Sequence, residues 1–150
     1  MPRLRTLALG LVCAATFFLV ACGDNAEQND YVDQVNEVQT TLESDISDLS
    51  QTPQSPDELT SFYDDTVASL NEAATSLENI EPPDDVKDLH EKLISEVQDL
   101  SGVIQEAADS IKQGGAASVP GAVSQLATEG SQIQSQFSAT IDEINSKLQD

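Results

Sequence analysis

The stretch that most restricts the fold runs from Val86 to Ile111. One apolar series in it runs Val86, Leu89, Leu93, Val97, Leu100, Ile104, Ala107 and Ile111. Steps of three and four place them on one side of an α-helix. A helix with one apolar stripe has to cover it, so the chain needs partner helices with matching stripes.

Three other segments supply them. Tyr31, Val35, Val38, Leu42, Ile46 and Leu49 form the first. Leu59, Tyr63 (with Phe62), Val67, Leu70, Ala74 and Leu77 form the second, with Ile80 at its end. Val119, Val123, Leu126, Gly130, Ile133, Phe137, Ile141, Ile144 and Leu148 form the last. Between them stand breaks of known chemistry. Ser55, Pro56 and Glu58 read as an N-cap, a first-turn proline and a capping box. Pro82 and Pro83 disfavour helix before them and suit a helix start, and Asp84 and Asp85 favour the positive end of the helix dipole. Gly114 or Gly115 is the expected C-cap of the third helix. No long period-two alternation suggests a sheet. The expected fold is all-α, an antiparallel up-down four-helix bundle with helices at 27–51, 56–80, 83–113 and 118–149.

The chain begins differently. Arg3 and Arg5 precede an apolar run from Leu7 to Ala21, which ends at Cys22. A basic head, about 15 apolar residues and a small residue make a secretory signal, too short for a comfortable membrane span. Leu19-Val20-Ala21-Cys22 resembles the lipobox of bacterial lipoproteins. The resemblance implies that residues 1–21 are a cleaved signal peptide and that Cys22 carries a diacylglycerol thioether. Cys13, preceded by bulky Val12, is expected to leave with the leader. Residues 22–30 then form a polar tether, and 31–150 the bundle. The anchor is the acyl chains, each buried methylene contributing about 0.8 kcal/mol. The same resemblance implies an extracytoplasmic address, on a bacterial membrane.

Charge narrows the partners. All 27 acids lie after the leader and both arginines within it, so Cys22 to Asp150 sets 27 acids against four lysines, a net −23. Nucleic acid is excluded as a partner, because phosphate binding rests on Lys and Arg. An anionic bilayer repels the same surface, which holds the domain off the membrane. Abundant Asp beside few Lys also suits a high-salt habitat. The acids thin out after Asp109, and the last helix is rich in Ser, Gln and Ala.

Candidate site residues are few. His90 is the only histidine. The stretch Ile80 to Leu93, with its double proline and His90 seven residues after Pro83, resembles one in small helical bacterial lipoproteins of undefined activity. His90 lies two turns into the third helix, where its ring is expected to pack at the bundle edge and bond carbonyls ending the second helix. A ligand contact is the alternative. Bundle di-iron sites need Glu-x-x-His, but Lys87 stands three before His90. Asp64-Asp65 and Asp84-Asp85-Asp88 could hold divalent cations only weakly, so neither a metal site nor a cofactor is expected. No Gly-x-Ser-x-Gly elbow is present, the acids mostly fall off the stripes, and no enzyme is expected. Gly130 occupies a stripe position in mid-helix, at a cost of about 1 kcal/mol relative to Ala. Either it lets helices approach closely or it leaves a notch for an apolar ligand. The expected function is a lipid-anchored, non-enzymatic scaffold or protein-binding module of the envelope, meeting an envelope protein through the less charged fourth helix. A ligand carrier or weak cation binder is the alternative.

Overall fold

The computed structural model describes Leu19 and residues 26–48 and 53–149. Four helices carry it: α1 (Ala26–Asp48), α2 (Pro56–Glu78), α3 (Lys87–Gly114) and α4 (Val119–Leu148). Short 3-10 turns, Asp84–Val86 and Gly115–Ala117, precede and follow α3. No strand occurs among the described residues, and the fold is the all-α four-helix bundle that the stripes predict.

α2 starts as its sequence dictates. The Ser55 hydroxyl accepts from the Glu58 N–H at 3.2 Å. The Glu58 carboxylate reaches one residue further back than a capping box, accepting from the Gln54 N–H at 2.6 Å. α2 ends at Glu78, where Asn79 and Ile80 donate back to Ser76 and Leu77. α3 starts later than the double proline suggests. Pro83 is extended at ψ 148°, and Val86 donates to its carbonyl, so the chain makes a 3-10 turn before the α-helix opens at Lys87. At the far end of α3 both glycines are required, for different reasons. Gly115 has φ +59°, which favours glycine. A Cβ on Gly114 would lie 2.7 Å from that of Ser118, whose hydroxyl bonds the Ser110 and Gly115 carbonyls.

Cross-helix bonds fix the directions. Lys112 pairs with Asp64, Ser101 with Asn71 and Gln98 with Glu78, so α3 runs antiparallel to α2. α2 and α4 both pack along α3, while α1 lies more sparsely along α2. The core runs the length of the seams, with Tyr31, Val86, Leu93, Ile111, Thr140 and Ile144 shut from solvent. Each large apolar side chain so buried contributes about 1.5–3 kcal/mol. The buried hydroxyls of Thr60 and Thr66 bond the carbonyls of Pro56 and Phe62 one turn back, which satisfies them within α2.

Leu19 lies against α1. It is 2 % exposed, and the Asn36 side-chain amide holds its backbone on both sides. The Leu19 N–H donates to Asn36 Oδ1 at 3.0 Å, and Asn36 Nδ2 donates to the Leu19 carbonyl at 3.1 Å.

Candidate functional site

His90 ties three helices together. It opens the second turn of α3, where the stripe turns its ring inward, and it is 3 % exposed. Its Nε2 lies 3.0 Å from the Leu77 carbonyl. That carbonyl belongs to the last turn of α2 and also accepts from the Ile80 N–H at 3.0 Å. Helix ends leave such carbonyls without intrahelical donors, and His90 supplies one from a neighbouring helix. The bond fixes the tautomer. Nε2 carries the proton, so Nδ1 is an acceptor, and the Tyr31 hydroxyl donates to it at 3.1 Å. The two rings meet edge to face at 5.5 Å. Burial holds the imidazole below the usual histidine range, opposed by the Leu77 bond and the nearby Glu91 charge. Burial also pushes the Tyr31 phenol well above the usual tyrosine range, so both groups stay neutral.

A second polar group sits in the seam between α3 and α4. Glu96 is 4 % exposed and accepts from the Thr140 hydroxyl at 2.9 Å through Oε1. Lys92 Nζ stands 3.7 Å from that same oxygen, while Oε2 has no hydrogen-bond partner among the described residues. A buried carboxyl group with one oxygen unmet is costly, and the Thr140 hydroxyl bonds only the other oxygen.

The remaining sequence candidates are scattered. Asp64 pairs with Lys112 at 2.9 Å, and Asp84 pairs with Lys87, which holds its carboxyl below the usual range. Among the described residues no group of three or more His, Cys, Asp or Glu could hold a metal. Gly130 is buried in α4, far along the bundle from His90. A shallow hollow of about 600 Å³ between α3 and α4 is lined by mostly polar residues with Gly102, Val103 and Ile133, and Gly130 is not among its walls. Val20, Ala21 and Cys22, on which the expected lipidation falls, and Leu49 lie outside the described residues.

One groove combines apolar and charged surface. Between α1 and α2 a hollow of about 310 Å³ is floored by Val38, Leu42, Ala73 and Ile80 and edged by Glu37, Asp45 and Glu72. It exists because α1 packs sparsely on α2 and because Ser69, Ala73 and Ser76 present short side chains there.

A model of the family of unknown function DUF6376 matches residues 25–149. The chain belongs to this family. No curated protein and no solved structure matches it. The DUF6376 match takes in all four helices, both buried polar ties and the groove, and starts beyond Cys22.

Within the DUF6376 fold, two polar participants escaped the sequence reading. Glu96 stands seven residues after Leu89 and next to Val97, so it lies on the apolar face of α3 and departs from the rule that acids fall off the stripes. That spacing is the signal that marks it. Tyr31 reads as a stripe residue, but its hydroxyl has to find a partner once buried, and His90 is the partner.

Proposed function

We propose that the chain is a lipid-anchored, non-enzymatic helical bundle of the bacterial envelope that works by holding another protein. The observation that carries this reading is the double engagement of His90, since both ring nitrogens serve the fold. The one side chain best suited to acid–base or ligand chemistry therefore acts as a structural tie. The basic, apolar leader ending in Leu19-Val20-Ala21-Cys22 supports the anchor and the extracytoplasmic address. Among the described residues no helix is long and apolar enough to cross a membrane. Cleavage before Cys22 removes Leu19 with the leader and frees the Asn36 side-chain amide that holds the Leu19 backbone.

Crosslinking in native membranes, followed by identification of the captured species, tests the reading. The expected result is one envelope protein, captured through Cys22-anchored material and lost when Cys22 is replaced by Ala. Enrichment of a small molecule with no protein would favour a ligand carrier instead.

A further inference from the structure

We propose that the groove between α1 and α2 docks a basic amphipathic helix of the partner protein. The inference rests on the protein-binding reading above and gives the partner its chemistry. Val38 and Leu42 belong to the α1 stripe but stay only partly buried, whereas stripe residues such as Leu93 on α3 are 1 % exposed. The incomplete burial leaves an apolar floor open to a third helix. Short side chains at Ser69, Ala73 and Ser76 recur at helical spacing on α2 and let a helix backbone come close.

The rim selects the charge. Glu37 and Glu72 are exposed, Asp45 is half-buried, and no lysine lines the groove. Carboxylates beside an apolar floor complement a helix with leucine-like residues on one face and Lys or Arg at its flanks. From Gln34 to Asp45 the α1 wall is about 17 Å long, room for about three helical turns. A second mature copy of this chain is the wrong occupant, because its net charge of −23 repels the rim.

The test uses the mature lipoprotein in phosphatidylcholine nanodiscs and a labelled three-turn peptide with leucine on one face and lysine at the flanks. Fluorescence anisotropy should show binding of this peptide and not of its glutamate counterpart. The triple variant E37Q/D45N/E72Q should weaken binding about tenfold or more, from three surface charge pairs. The variant E106Q/D142N/E143Q loses the same charge from exposed positions on α3 and α4 and should bind within about twofold of the parent. Equal losses in both variants, no binding at all, or spermidine binding as tightly as the peptide would each overturn the groove assignment. Mass analysis of the same preparation reads the lipid on Cys22 independently, so a failed groove and a failed anchor are told apart.

Discussion

At the residue scale the fold depends on a histidine that is kept neutral and used from both sides. Tyr31→Phe removes the donor to His90 Nδ1 and leaves that nitrogen buried and unmet. The expected cost is about 1–3 kcal/mol, read from the urea midpoint, with the unfolding slope unchanged. A shift within experimental error would mean that the hydroxyl contributes nothing. The same geometry sets a pH dependence. Burial lowers the folded-state pKa of His90 below its ordinary 6.5, so the unfolded chain takes up the proton first as pH falls. Stability from the neutral ring is therefore full above about 6.5 and is lost as pH drops toward the folded-state value. Comparing wild type with His90→Gln between about pH 7.5 and 5.5 isolates this contribution from that of the carboxylates. Wild type should lose the more stability over that interval, and parallel curves would contradict the account.

At the element scale the seam between α3 and α4 carries the buried Glu96 carboxyl, bonded by the Thr140 hydroxyl and approached by Lys92. Thr140→Val should destabilise the bundle by about 1–3 kcal/mol, since it removes the hydroxyl bond to buried Glu96 Oε1 and leaves Lys92 at 3.7 Å. In a Glu96→Leu background the same change should cost little, and the double variant should be near neutral or more stable than wild type. A double-mutant cycle with no coupling would show that the pair is not a unit. The helices themselves were legible in the sequence, because steps of three and four in Val86 to Ile111 admit little else. The breaks at Ser55-Pro56 and Gly114-Gly115 were legible too, since each rests on a residue whose backbone chemistry is distinctive. The late start of α3 was not, because a double proline permits a 3-10 turn as readily as a first α-turn. His90 could be placed near the end of α2 from its position two turns past Pro83. Its second partner could not, because Tyr31 is 59 residues away and only the packing of α1 brings it there. Glu96 was hidden by charge, since an acid on an apolar stripe reads as a surface residue until its neighbours are known.

At the scale of the whole molecule, charge dominates, and the proposed tether answers to it. Crowding 27 acids on so small a surface makes the folded state repel itself. Salt screens that repulsion, the Debye length shrinking to about 3 Å at 1 M. The melting temperature should accordingly rise between dilute and molar sodium chloride. A flat or falling curve would remove both the self-repulsion argument and the high-salt habitat that it suggests. The same repulsion bears on the proposed tether, because a surface that avoids anionic lipid would stay near a membrane only if it were bonded to one. Mass spectrometry of the natural amino-terminal fragment tests that claim most directly. The account predicts a chain that begins at Cys22 with diacylglycerol on its sulfur, and a free thiol at Cys22 or an intact leader would contradict it.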